Sequence, residues 1–121
     1  MNIFIIRKFD RLLKSENLTR YELKSVTGDI LANRAVSLGA KLYKIRMKAQ
    51  GRGKSGGYRI IVFFKVREHM IFLALFSKND RENLTENELK ALKLYAKELD
   101  CLSHREIQSM LENGSFIKLQ F

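Results

Sequence analysis

The sequence predicts an α+β fold, and three observations carry that reading. Thr19–Glu22, Thr85–Glu88 and Ser103–Glu106 are capping boxes, each followed by apolar residues at helical spacing. Two long apolar runs, 58–66 and 69–77, stand back to back across a tight connection at Arg67 and Glu68 and read as an antiparallel hairpin. Residues 42–48 alternate strictly, with Tyr43, Ile45 and Met47 on one face and Lys44, Arg46 and Lys48 on the other.

Taken in order, Asn2 to Ile6 is short, apolar and rich in β-formers, a first strand. Phe9, Leu12 and Leu13 place a short helix over 7–15. Thr19 opens a second helix, with Leu23, Val26, Ile30 and Leu31 along its buried stripe. The alternating strand 42–48 follows, then a loop over 51–57 that holds four glycines together with Arg52 and Lys54. Residues 58–66 are apolar on both faces, as expected of a central strand covered on both sides. The third capped segment pair gives a helix from Thr85 to about Leu99, through Leu89, Leu92, Tyr95 and Ala96, and a shorter one from Ser103 through Ile107, Met110 and Leu111. Asn113-Gly114 ends it, and residues 115–121 form a final edge strand. With no linker, repeat or low-complexity stretch, the expectation is a single domain over 1–121, its C-terminal extension being 100–121.

The charge is distributed unevenly. Of 23 basic and 13 acidic residues, ten basic and no acidic ones fall between positions 30 and 67, so the remaining 83 residues cancel and the net +10 sits in one third of the chain. That third is also the strand-rich one. A basic excess carried on a rigid sheet implies a shaped surface for a polyanion. If the hairpin turns near residue 67, Arg59 lies close to Phe76, Ser77 and Lys78, and the glycine-rich loop enters at the same end. The basic face of 42–48 adjoins it. Lys44, Arg46, Lys48, Lys54, Arg59, Lys78 and Arg81 then converge on one end and one face, combining the planar forks of arginine with the mobile point charges of lysine.

Several function classes are excluded or weakened. The segment Gly51-Arg-Gly-Lys-Ser-Gly-Gly superficially resembles a phosphate-binding loop, but position 48 holds lysine where the nucleotide-binding pattern needs glycine, and a strand follows instead of a helix. His69 falls at the hairpin turn and His104 in the first turn of a surface helix, positions that suit structural or solvated side chains better than a general base. Cys101 is the lone cysteine, so no cysteine-based metal cluster or internal disulfide exists, which fits a reducing cytoplasm. No apolar run approaches the roughly 20 residues that cross a bilayer, and the N-terminus lacks the pattern of a signal peptide. No cofactor is expected. Catalysis on such a site would rest on cations that hold a phosphodiester and neutralise a pentavalent transition state. A lysine whose pKa is lowered by its cationic neighbours could take the proton of a ribose 2′-OH, which then attacks the adjacent phosphate and leaves a 2′,3′-cyclic phosphate.

Residues 44–59 (Lys-Ile-Arg-Met-Lys-Ala-Gln-Gly-Arg-Gly-Lys-Ser-Gly-Gly-Tyr-Arg), the apolar hairpin and the segment from Phe76 to Leu89 together resemble the HigB-like branch of the RelE/ParE toxin superfamily. The resemblance spans about residues 2–99 and is most specific in the middle third. It implies N-terminal helices packed on a small, mainly antiparallel β-sheet with a C-terminal helix behind. It also implies the toxin of a type II toxin–antitoxin pair, a ribosome-dependent, metal-independent mRNA endoribonuclease held in check by a cognate acidic antitoxin. By motif, Lys44 and Arg46 match the paired basic positions before the loop. Arg59 matches the arginine that stabilises the scissile phosphate, and Lys78 and Arg81 match the basic positions after the last hairpin strand. Lys44 is the expected general base, with Lys48 and Lys54 as substitutes. Lys48, Arg52, Lys54 and Arg81 are expected to bind RNA. Cleaving relatives often carry a tyrosine shortly after the last basic pair, whereas residues 79–84 have none. A ParE-like inhibitor of gyrase and a non-catalytic RNA-binding module therefore stand as alternatives.

Overall fold

The structure is a computed structural model and describes residues 1–48, 57–81 and 83–121. Six strands, β1 (Asn2–Ile6), β2 (Val36–Gly39), β3 (Leu42–Met47), β4 (Tyr58–Lys65), β5 (His69–Ser77) and β6 (Phe116–Lys118), form one mixed sheet in the order β2-β3-β4-β5-β1-β6. Every pairing is antiparallel except that of β1 with β5. The helices α1 (Arg7–Ser15) and α2 (Leu23–Leu31) cover one face, and α3 (Glu86–Asp100) and α4 (His104–Glu112) pack on the other. The expected α+β architecture is the observed one.

Alternation along the strands divides the core in two. Tyr58, Ile60 and Val62 of β4 face α1 and α2, against Phe9, Leu13, Leu23, Val26 and Ile30. Ile61 and Phe63 face the other way, against Ala96 and Leu99 of α3. Residues 58–63 are all buried, which is why this strand reads as apolar on both faces.

α1 begins without a side-chain cap. Its first amide, at Arg7, instead donates to the Ser115 carbonyl at 3.1 Å, while the Arg7 guanidinium donates to the carbonyls of Asn113 and Gly114 at 3.0 and 3.2 Å. The start of α1 thereby holds the turn leading into β6. The second helix also departs from expectation. Thr19 does open it, with its amide donating to the Glu22 carboxylate at 2.8 Å, but the first turn, Arg20–Glu22, is a 3₁₀ turn before α2 proper. The Arg20 guanidinium grips Asp10 of α1 through two bonds of 3.0 and 3.2 Å, tying the turn to the helix before it and holding the buried Asp10 carboxyl below its ordinary range.

β2 was not expected. It is four residues long, none of them fully buried, and it is tied to β3 through a turn in which Gly39, Ala40 and Lys41 all have positive φ (89°, 54° and 63°). A tight turn of that hand normally announces itself by Asn-Gly or Asp-Gly; Ala40-Lys41 carries no such signal. The strand ends also shift slightly. β3 stops at Met47, β4 at Lys65, and β6 covers only Phe116–Lys118 of the expected 115–121.

A bulge interrupts the hairpin. Lys65 to Val62 pair with His69, Met70, Ile71 and Phe72 in turn, but Ile61 pairs with Ala74, so Leu73 is the extra residue. The consequence lies at the other end of the strand, where Arg59 stands opposite Phe76 rather than Leu75.

Candidate nucleic-acid interface

Register alone brings three of the expected cations together. Lys44 pairs with Val36 on one side and Ile61 on the other; one step along the sheet, Arg46 pairs with Arg59, which pairs with Phe76. Directly opposed residues in an antiparallel sheet point to the same face with Cβ atoms about 4.5–5.5 Å apart. The face is the one that α3 covers further along. Two arginines opposed in this way concentrate positive charge at one point of the sheet face.

The cations stand around a hollow of about 460 Å³, within the ~300–1,000 Å³ range of pockets that hold a small ligand. Lys44, Arg46 and Arg59 form its floor. Its wall comes from Asp29 at the end of α2, from Arg34 and Val36 on the way into β2, and from Asn83 just ahead of α3. Arg59 is nearly buried, at 5% exposure, whereas Arg46 is exposed and Lys44 intermediate. Asp29, the one carboxylate among the described lining residues, is already engaged, accepting from Arg34 Nη1 at 2.7 Å. Lys44 Nζ donates to Asn83 Oδ1 at 2.7 Å. Among the described residues, no carboxylate lies within ion-pair distance of Lys44.

Two of the other expected residues lie at the same end of the sheet without lining the hollow. Arg81 lies over the Phe76 ring, its guanidinium carbon 4.8 Å from the centroid, and pairs with Glu88. That contact, with the amide of Thr85 adding to it, pulls the Glu88 carboxyl down to about 2 and raises the Arg81 guanidinium. Arg81 is thus a cation already engaged by a helix-capping glutamate. Lys78 is at the same end of the sheet, its amide donating to the Gly57 carbonyl at 3.1 Å, but it does not line the hollow. Lys48 is exposed immediately after β3. Arg52 and Lys54, and Glu82 with them, lie outside the described residues.

Gly57 marks where the chain returns to the sheet. It has φ +63°, and a Cβ there would sit 2.3 Å from the Met47 carbonyl oxygen, so the backbone of β4 enters against β3 at a distance that only glycine permits. Tyr58, the next residue, is fully buried on the α1/α2 side and takes no part in the hollow. His69 is at the far end of the hairpin, buried between the rings of Phe4 and Phe63 at 6.1 and 5.9 Å, and burial lowers its pKa.

Sequence reasoning missed four wall residues: Asp29, Arg34, Val36 and Asn83. Arg34 was visible only as one of ten basic residues. Asp29 and Asn83 gave no signal, because they reach the hollow from a helix and a connecting segment whose positions are set by packing.

No helix among the described residues is long and apolar enough to cross a membrane. A family model described as the RelE toxin of the RelE/RelB toxin–antitoxin system matches residues 1–119.

Proposed function

The chain belongs to the RelE toxin family of toxin–antitoxin systems, and on that premise we propose that it is an mRNA endoribonuclease of the HigB-like branch, acting in the cytoplasm on messages held in the ribosome. The observation that carries this reading is the convergence of Lys44, Arg46 and Arg59 on one hollow. Arg59, nearly buried and rigidly placed in a central strand, is suited to grip the scissile phosphate and to meet the charge that grows on its oxygens in the pentavalent transition state. Arg46, across the ladder from it, holds the adjoining backbone phosphate. Lys44, as the free amine, accepts the proton of the 2′-OH. The 2′-oxygen then bonds to phosphorus, the bond to the 5′-oxygen breaks, and that oxygen takes up a proton. The products are a 2′,3′-cyclic phosphate and a 5′-hydroxyl. Lys48, Arg52, Lys54, Lys78 and Arg81 contribute to RNA binding around this centre.

The family membership also implies a cognate RelB-type antitoxin. An antitoxin can neutralise such a site by covering the basic face or by displacing a C-terminal element. The hold of Arg7 on Asn113 and Gly114, with Phe116 and Leu119 buried, favours covering. Pull-down of the full chain with the product of the adjoining gene tests the pairing, and a Lys44→Glu/Arg46→Glu variant that still bound equally well would count against covering.

Primer extension on messages in translating ribosomes tests the activity. The wild type should produce discrete cuts and Arg59→Ala should not. Absence of cuts from the wild type, together with inhibition in a gyrase supercoiling assay, would turn the reading to the ParE-like alternative.

A further inference from the structure

Lys44 and Asn83 are 39 positions apart in sequence, yet the lysine amine donates to the asparagine side-chain oxygen at 2.7 Å, and both line the hollow. Three other cations among the described residues are held by carboxylates from distant segments. Lys41 and Lys65 contact Asp100, and Arg20 contacts Asp10. At Lys44 the partner is instead a neutral amide.

The difference matters chemically. A carboxylate at this distance would stabilise the ammonium and hold its proton. An amide oxygen accepts one N–H, fixes the direction of the amine, and adds no negative charge. With that N–H committed, the nitrogen's remaining valences turn into the hollow, where a lone pair can receive a proton. Among the described residues, the other charged groups that line the hollow with Lys44 are Arg46 on its own strand, Arg59 on β4, and Asp29 and Arg34 from the end of α2 and the turn after it. Asp29 is already bound to Arg34. Arg81 and Glu88, at the start of α3, bind each other.

We propose that Asn83 is the positioning residue for Lys44, orienting its amine in the hollow through a neutral acceptor so that the lysine can serve as base. This rests on the endoribonuclease reading given above, but its test can be separated from it.

The experiment compares wild type, Asn83→Ala, Asn83→Asp and Asn83→Gln in the full chain, with two readouts. In the first, the side-chain NMR signal of Lys44 is followed against pH in the isolated protein. Asn83→Asp should move its titration midpoint up by about one pH unit or more relative to wild type, and Asn83→Ala should not raise it. In the second, the cleavage rate on ribosome-bound message is followed against pH. Asn83→Asp should shift the rising limb upward, costing about tenfold at neutral pH. Asn83→Ala should lower kcat with KM little changed, and Asn83→Gln should restore part of the loss. An unmoved Lys44 titration in Asn83→Asp, or wild-type cleavage by Asn83→Ala, would overturn the assignment. Wild-type protein that cleaves nothing would instead remove the endoribonuclease reading, and the NMR titration would still decide whether Asn83 governs the state of Lys44.

Discussion

The two ends of the α3-covered sheet face carry similar side chains in opposite circumstances. At one end, Lys41 and Lys65 converge on Asp100, the last residue of α3, at 2.7 and 3.1 Å, and Lys65 also reaches Glu68 at 3.5 Å. Asp100 is held below its ordinary pKa by these two lysines, and the Lys65 amine is raised by it. At the other end, Lys44 meets an amide, Arg46 is exposed, and both stand with Arg59 around an open hollow. A helix that starts short of one end and finishes over the other makes this difference. Where Asp100 meets them the cations are structural; at the hollow, no carboxylate among the described residues lies within ion-pair distance of Lys44.

Arg59→Ala is the most severe way to break this contrast. Loss of one well-placed charge-stabilising donor should lower cleavage about 10²–10³-fold, read as single-turnover rate on ribosome-bound message, while circular dichroism remains native. Gly57→Ala comes next. Forcing a Cβ onto a positive-φ residue that already touches the Met47 carbonyl should destabilise by about 1–3 kcal/mol, measured by urea denaturation, and should loosen β4 from β3 beneath the hollow.

The closed end should respond in the reverse sense. Asp100→Asn frees Lys41 and Lys65, and it should lower the melting temperature by a few degrees, less so in high salt, with cleavage unchanged. His69 adds a pH dependence there. Its folded pKa is depressed by burial from 6.5, so below that pH the unfolded chain binds the extra proton and stability falls as pH drops. Above pH 6.5 its contribution is complete. Asp10, Asp100, Glu88 and Glu106, all depressed from 3.8 or 4.5, add their loss only in more acid solution. A decline in stability between pH 6.5 and 5 that disappears in His69→Phe would assign it to this imidazole. The smallest effect sharpens the contrast most. Arg46→Gln removes one of two directly opposed arginines and should stabilise by a few tenths to about 1 kcal/mol while weakening cleavage. Unchanged or reduced stability would mean that the two charges do not repel across the ladder.

The sites of local chemistry were legible in advance. Capping boxes at Thr85 and Ser103 mark α3 and α4, and the alternation of residues 42–48 separates Lys44 and Arg46 from Tyr43, Ile45 and Met47. β2 and its turn were not legible, because Ala40 and Lys41 take a conformation that their side chains do not favour and that only pairing with β3 holds in place.

What the chain encodes by itself is the identity and facing of each element, since helix and strand periodicities act over a few residues: three cations on one strand face, an arginine after a glycine, a central apolar hairpin. The tertiary structure alone decided which distant segments meet at the hollow. The packing of α2 and α3 brought Asp29 and Asn83 to it. Those relations depend on contacts between segments tens of residues apart, and no local pattern records a distance of that kind.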